Sequence, residues 1–209
     1  MNELTDQLAA LRIIPVVAID SADDAMPLAD ALIAGGLPCA EITLRTEDGL
    51  KAIRRLRDRR ELLVGAGTVH SAKQASESVE AGARFIVSPG FNPRTVAWCL
   101  ENRVPVFPGI ATPTDLESAL EFGLTVVKFF PAETLGGVRT LKAFSGPYGG
   151  MKFIPTGGIS PANLADYLKL ECVVACGGSW MVSPAMLMEG RFDEIQRLTA
   201  EAVGLAVKK

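Results

Sequence analysis

Short, almost uniformly apolar segments alternate with segments of helical period along nearly the whole chain. The apolar segments are rich in Val, Ile, Phe and Ala, and they lack the apolar/polar alternation of a half-exposed strand. We count eight of them, at residues 13–19, 39–44, 62–67, 84–88, 105–109, 125–130, 152–156 and 173–177. Strands that are apolar on both faces are typical of a parallel sheet covered by helices. The pattern therefore predicts an α/β fold.

The helical segments that separate these strands lie at residues 25–34, 49–57, 72–81, 93–102, 116–122, 138–144, 162–170 and 191–207. Residues 1–12 predict a further short amphipathic helix. Several predicted helices end at glycines suited to a left-handed residue, namely Gly35, Gly82 and Gly123. Eight strands with helical crossovers predict a (β/α)8 TIM barrel with a short N-terminal helix. Because no Pro/Gly-rich linker interrupts the pattern, we expect residues 1–209 to form a single domain.

A doubly wound open sheet is the alternative architecture. The G-x-G-x-x-G turn of dinucleotide-binding sheets does not follow the first predicted strand, which favours the barrel.

The composition limits the chemistry and the cellular location. A formal charge of −3 argues against binding to a nucleic-acid backbone. The single histidine, His70, excludes metal sites that need two imidazoles, and we place it in a loop near the active rim. The four cysteines show no C-x-x-C spacing and predict reduced thiols.

No signal-peptide pattern opens the sequence, and no apolar stretch reaches the ~20 residues of a membrane span. We therefore expect a cytoplasmic protein that binds neither nucleic acid nor membrane.

Lys128 lies inside the apolar segment Thr-Val-Val-Lys-Phe-Phe-Pro, close to the end of a predicted strand. An unpaired ammonium is costly to bury, so the lysine either pairs with a carboxylate, extends to the rim, or has a chemical role. A neutral lysine amine attacks carbonyl carbons and forms a Schiff base. Active sites of TIM barrels lie at the carboxyl ends of the strands, which favours the chemical role.

Glu41 and Arg45 are four residues apart, within and just past the end of the second predicted strand, and in a strand this spacing points both side chains to the same side as Thr43. A structural ion pair is one interpretation. The other is a carboxylate that moves protons and a guanidinium that binds a substrate carboxylate through two hydrogen bonds. Together with Lys128, these residues indicate a site for a 2-keto acid.

Two glycine pairs, Gly157-Gly158 and Gly177-Gly178, follow the seventh and eighth predicted strands. In TIM barrels the loops after these strands commonly bind phosphate through backbone N–H groups. Ser179 follows the second pair and adds a hydroxyl donor. Glycines at strand ends are also ordinary turn residues, but two pairs in the two expected loops favour a phosphate site.

Seven short motifs occur in order at the predicted strand ends: Glu41-Ile-Thr-Leu-Arg45-Thr, Gly65-Ala-Gly-Thr68, Ser88-Pro89-Gly90, Pro108-Gly109-Ile, Lys128-Phe-Phe130-Pro131-Ala, Pro155-Thr156-Gly157-Gly158-Ile and Gly177-Gly178-Ser179-Trp180. Together they closely resemble the bacterial 2-keto-3-deoxy-6-phosphogluconate (KDPG) aldolase family, some members of which also cleave 4-hydroxy-2-oxoglutarate. The resemblance extends from the first strand to the last helix. His70 is a departure from the family pattern and affects only its own loop.

The resemblance implies a class I aldolase of the Entner–Doudoroff pathway, commonly a homotrimer, that uses neither metal nor cofactor. Its partner is a small phosphorylated keto acid, which it cleaves to pyruvate and D-glyceraldehyde 3-phosphate. By the same resemblance, Lys128 is the Schiff-base lysine and Glu41 the general acid–base. The implied binding residues are Arg45, Thr68, Pro89, Phe130 and Thr156 in the pyruvate pocket, and Gly157, Gly158, Gly178 and Ser179 at the phosphate end.

Two other functions fit parts of the pattern. An isomerase or a phosphosugar-binding barrel without aldolase activity would retain both glycine loops but would not need Lys128 and Glu41 together. Their joint presence favours the aldolase. The preference among gluconate, galactonate and 4-hydroxy-2-oxoglutarate substrates stays open, because it depends on small shifts around Thr156.

Overall fold

The computed structural model describes residues 3–207. The helices are α1 (Glu3–Leu11), α2 (Ala25–Ala34), α3 (Gly49–Arg55), α4 (Ala72–Ala81), α5 (Pro93–Glu101), α6 (Pro113–Glu121), α7 (Gly137–Ser145), α8 (Leu164–Leu168), α9 (Pro184–Met188) and α10 (Phe192–Val207). The strands are β1 (Ile13–Val17), β2 (Cys39–Thr43), β3 (Leu63–Gly67), β4 (Phe85–Val87), β5 (Val106–Phe107), β6 (Gly109–Ile110), β7 (Val126–Phe129), β8 (Lys152–Pro155) and β9 (Cys176–Gly178).

The predicted α/β class is confirmed, and the strand pairs within the described residues are parallel. Six strands form a curled half-barrel in the order β5-β4-β3-β2-β1-β9, and three more form a second sheet in the order β6-β7-β8. Each strand is buried along nearly its whole length, as the uniformly apolar segments indicated.

The predicted closed eight-stranded TIM barrel is wrong, because the sheet is interrupted at two places. The predicted strand 105–109 is divided at Pro108, so that β5 pairs with β4 while β6 pairs with β7. Pro108 has no backbone N–H to donate at the point where the pairing partner changes from β4 to β7. At the other edge, the described residues of β8 and β9 form no continuous ladder. They are connected by two isolated bridges, Phe153 with Val173 and Thr156 with Gly177.

The predicted helices are present, with shifted ends. The predicted helices 116–122 and 138–144 begin earlier, at Pro113 and Gly137, and the first of them ends at Glu121. The side chain of Thr112 caps α6 by accepting from the backbone N–H of Asp115, a signal for its true start. The predicted N-terminal helix is observed as α1, and residues 1–2 lie outside the described part of the chain.

Helix α1 sets which end of the sheet is apolar. Its Leu4 and Leu8 pack with residues at the starts of strands, among them Ile14, Phe85 and Val126. The amino ends of the strands are therefore filled by hydrocarbon. The buried polar side chains on the strands, such as those of β2 and β7, lie toward the carboxyl ends.

Candidate active site

A buried lysine and a buried carboxylate face each other across the interior. Nζ of Lys128, on β7, lies 3.4 Å from Oε1 of Glu41, on β2, and the two side chains are only 6% and 3% exposed. A buried charge is tolerated when it is paired, so each residue stabilises the other. Nζ also lies 5.1 Å from the ring centroid of Phe130.

This pair borders a pocket of about 240 Å³ at the carboxyl ends of the strands. All eleven residues predicted for the site line it, namely Glu41, Arg45, Thr68, Pro89, Lys128, Phe130, Thr156, Gly157, Gly158, Gly178 and Ser179. The structure thus brings the residues together, while their individual roles remain predictions. A larger depression of about 360 Å³ lies at the amino ends of the strands and holds none of these residues.

Four further residues line the pocket, of which Thr43 is the most informative. Its buried hydroxyl donates to the carbonyl of Val17 at 2.8 Å and accepts from Nε of Arg45 at 3.2 Å. The strand spacing predicts that Thr43 lies on the same side as Glu41 and Arg45, but it points to no function for the threonine. The i, i+2 spacing between Thr43 and Arg45 is the signal that points to this contact. The other three residues are Val16, Ile159 and Gly177.

The Arg45 guanidinium is exposed and forms no ion pair with any residue between 3 and 207. Within the described part of the chain, Nε is the one guanidinium atom that forms a hydrogen bond, to Thr43, so both Nη atoms are available for a ligand. Two parallel N–H donors match the two oxygens of a carboxylate.

Thr68 and Pro89 lie in two loops of the pocket wall, each with a distinctive backbone conformation. Thr68 has a φ of 60°, a left-handed conformation that β-branched residues rarely adopt. Ser88 donates its hydroxyl to the carbonyl of Gly90 at 2.8 Å and so closes the turn that carries Pro89.

His70 is exposed in a loop, as predicted. Its N–H donates to Gln74, and it does not line the pocket.

Gly157 and Gly158 form a turn with φ values of 98° and 79°, which glycine adopts without strain. Gly178 lies against the indole ring of Trp180, where a Cβ atom would stand 1.9 Å from the ring. Ser179 is exposed beside it. Because these glycines have no side chains, the backbone of residues 157–158 borders the pocket directly, and the backbone of Gly178 lies against the Trp180 ring.

The four cysteines are free thiols, and none lines the pocket. Burial raises the pKa of Cys99 and of Cys176 to about 12, and that of Cys39 further. Within residues 3–207 no three His, Cys, Asp or Glu side chains cluster closely enough to hold a metal ion. None of the described helices is both long and apolar enough to cross a membrane.

A buried amine beside a carboxylate, with a free guanidinium at the same pocket, is the equipment of a Schiff-base aldolase. Comparison with known proteins gives the particular family. Residues 4–198 match the family described as "Aldolase: KDPG and KHG aldolase", and the chain belongs to that family.

Individual relatives resemble the chain over almost their full length. The 2-dehydro-3-deoxy-phosphogluconate aldolase of Treponema pallidum is 48% identical over 97% of each chain. The KHG/KDPG aldolase of Escherichia coli K12 is 45% identical over 91% of this chain and 90% of its own. The crystal structure of KDPG aldolase from Legionella pneumophila, with pyruvate captured at low pH as a covalent carbinolamine intermediate, has a TM-score of 0.92 and 39% identity over 96% of this chain and 98% of its own.

Proposed function

We propose that this protein is a class I aldolase that cleaves KDPG to pyruvate and D-glyceraldehyde 3-phosphate, without a metal or other cofactor. The observation that carries the proposal is the buried Lys128–Glu41 pair, 3.4 Å apart, at the border of the pocket. The names of the relatives from Treponema pallidum and Escherichia coli support the substrate.

The first step joins substrate and enzyme. The neutral amine of Lys128 attacks C2 of the keto acid, the carbonyl oxygen leaves as water, and an iminium ion remains. Glu41 is close enough to accept the proton that the ammonium of Lys128 must lose before this attack. The Nη atoms of Arg45 hold the substrate carboxylate and orient C2 toward Nζ.

The second step breaks the C3–C4 bond. Glu41 removes the proton of the C4 hydroxyl, directly or through a water molecule, and the bonding electrons move into the iminium to give an enamine. The aldehyde half departs as D-glyceraldehyde 3-phosphate. Glu41 then returns a proton to C3, and water hydrolyses the imine to release pyruvate and regenerate the Lys128 amine.

The phosphate of the substrate is proposed to bind at the opposite end of the pocket, on Gly157, Gly158, Gly178 and Ser179. Consecutive backbone N–H groups in such turns form concave anion sites. The N–H group of Gly158 forms no hydrogen bond with the described residues, which supports this role, whereas Gly157 adjoins the bridge between Thr156 and Gly177. We assign Phe130, Pro89 and Thr68 to the pyruvate half, and Thr156 to the stereochemistry at C4.

Borohydride reduction tests the mechanism. We expect pyruvate plus borohydride to give a stable adduct on Lys128 in intact-mass and peptide analysis, with or without EDTA. Lys128→Ala should lose the adduct and all turnover while keeping its circular dichroism spectrum. The control Lys142→Ala alters an exposed lysine of α7 and should behave as wild type. A folded wild-type protein that forms no adduct would contradict the proposal and favour a phosphosugar-binding or isomerase function.

Four finer assignments accompany the proposal. We assign the enzyme to the Entner–Doudoroff pathway and the cytoplasm, the latter supported by its four free cysteines. We propose a homotrimer of single-domain subunits on the basis of the motif resemblance, and light scattering that gives a monomer mass would contradict it. The relative named KHG/KDPG aldolase supports 4-hydroxy-2-oxoglutarate as a second substrate.

A further inference from the structure

The glycine turn, residues 157–158, has both of its carbonyl groups held by hydrogen bonds. The backbone N–H of Glu133 donates to the carbonyl of Gly157 at 3.1 Å, and Nδ2 of Asn163 donates to the carbonyl of Gly158 at 3.0 Å. The N–H of Gly158 has no acceptor among residues 3–207, whereas Gly157 adjoins the bridge between Thr156 and Gly177. Both carbonyl groups of the turn are therefore occupied by protein while the Gly158 N–H stays available for an anion.

Both the oxygen and the nitrogen of the Asn163 side-chain amide form hydrogen bonds to the backbone. Its Oδ1 accepts from the backbone N–H of Ser160 at 2.8 Å, and its backbone N–H donates to the Ser160 carbonyl at 3.2 Å. Because Oδ1 already bonds to an N–H, Nδ2 must face the Gly158 carbonyl. The side chain of Asn163 thus closes the loop that follows the glycine turn.

Glu133 supports the same turn from a second direction. A Cβ atom on Gly158 would stand 2.6 Å from both Cβ and Cγ of Glu133, so the two residues are in direct contact. The carboxylate of Glu133 accepts a hydrogen bond from the hydroxyl of Tyr167. Tyr167 lies on α8 and is completely buried, which makes it a rigid anchor for Glu133.

None of Glu133, Asn163 and Tyr167 lines the pocket of Lys128. All three line a separate surface depression of about 490 Å³. Glu133 and Asn163 contact the glycine turn directly, and Tyr167 acts on it through Glu133.

We propose that Asn163 and the Glu133–Tyr167 pair are positioning residues that set the enzyme's preference for a phosphorylated substrate. The inference rests on the proposed function, in which the glycine turn binds the substrate phosphate. If the Gly158 carbonyl loses its donor, the peptide can rotate and direct its oxygen toward the phosphate, which repels it. The keto-acid half contacts other residues and is unaffected by this rotation.

The test compares a reaction that uses the phosphate with one that does not. We would measure kcat and KM for KDPG cleavage, and separately the deuterium exchange at the methyl group of pyruvate, in Asn163→Ala and Tyr167→Phe. One lost hydrogen bond changes binding by about 2–10-fold. We expect KM for KDPG to rise about 10-fold in Asn163→Ala and about 3-fold in Tyr167→Phe, with kcat and pyruvate exchange within about 2-fold of wild type.

Asp166→Ala is the matched control, because Asp166 lies on α8 beside Tyr167, is exposed, and pairs with no side chain among residues 3–207 except the exposed Lys169. It should leave both reactions unchanged. Equal losses in KDPG cleavage and pyruvate exchange would indicate a general structural role and overturn the proposal, as would an unchanged KM for KDPG. Failure of the proposed function is distinguishable, because the wild-type protein itself would then neither cleave KDPG nor exchange pyruvate.

Discussion

The carboxylate of Glu41 lies directly against the backbone of Gly67. A Cβ atom on Gly67 would stand 2.2 Å from Oε1 of Glu41, closer than any real Cβ contact. The two residues lie on the neighbouring strands β2 and β3, where Thr43 is paired with Gly67. The missing side chain at position 67 therefore leaves the space in which the Glu41 carboxylate reaches Lys128.

Gly67→Ala should displace the Glu41 carboxylate and abolish efficient turnover. General acid–base catalysis contributes about 10²–10⁴-fold, so we expect kcat for KDPG cleavage to fall at least ~10²-fold. The control is Gly150→Ala, because a Cβ atom on that exposed glycine meets nothing within 4 Å. Steady-state kinetics on both variants checks this, and wild-type turnover in Gly67→Ala would show that the carboxylate is not needed at this position.

Glu41→Gln should separate proton transfer from Schiff-base formation. Glutamine retains the shape of glutamate but cannot accept a proton at neutral pH. We expect deuterium exchange at the pyruvate methyl to slow by about 10²–10⁴-fold. Saturating pyruvate and borohydride should still give the Lys128 adduct, more slowly, because water can take up the Lys128 proton in place of Glu41. Proton NMR measures the exchange and mass spectrometry the adduct. An unchanged exchange rate would assign the acid–base role to another group.

The chemistry of the site was more predictable from sequence than the closure of the sheet. A lysine and a glutamate inside apolar strands are conspicuous, because burying either charge alone is costly. Lys128 and Glu41 could therefore be singled out before their contact was seen. Asn163 and Glu133 could not, since they lie in loops where polar residues are common and the groups they contact are distant in the sequence or belong to the backbone.

The closed barrel failed as a prediction because closure depends on hydrogen bonds rather than on apolar pattern. Pro108 lies within an apolar segment that hydropathy counts as one strand, yet it divides the ladder. Residues 173–177 are equally apolar, but the regular strand is Cys176–Gly178, and Val173 instead donates to the carbonyl of Leu170. Both interruptions depend on backbone geometry, which composition does not encode.

Thr43→Val should weaken binding of every keto acid that uses Arg45. The change keeps the β-branched shape but removes the acceptor for Arg45 Nε, which lies 3.2 Å from the hydroxyl. A hydrogen bond to a charged group contributes about 1.5–3 kcal/mol, so we expect KM for KDPG and for pyruvate exchange to rise about 10-fold or more, with kcat little changed. Thr43→Ser retains the hydroxyl and should restore a near-normal KM. If valine and serine behave alike, the hydroxyl has no part in orienting Arg45.

Thr68→Gly should separate stability from activity. The φ of 60° at Thr68 strains a β-branched residue by about 1–2 kcal/mol, whereas glycine adopts it freely. Glycine also loses more backbone entropy on folding, by about 0.5–1 kcal/mol, so the two effects nearly cancel and the free energy of unfolding should stay constant or rise slightly. At Thr125, an exposed threonine that is not among the positive-φ residues, the same change relieves no strain and should lower stability by about 1 kcal/mol.

Thr68→Gly should nevertheless raise KM for pyruvate, because the side chain that lines the pocket is lost. Urea denaturation and steady-state kinetics test the two effects separately, and a variant that loses as much stability as Thr125→Gly would show that the conformation of Thr68 is not strained.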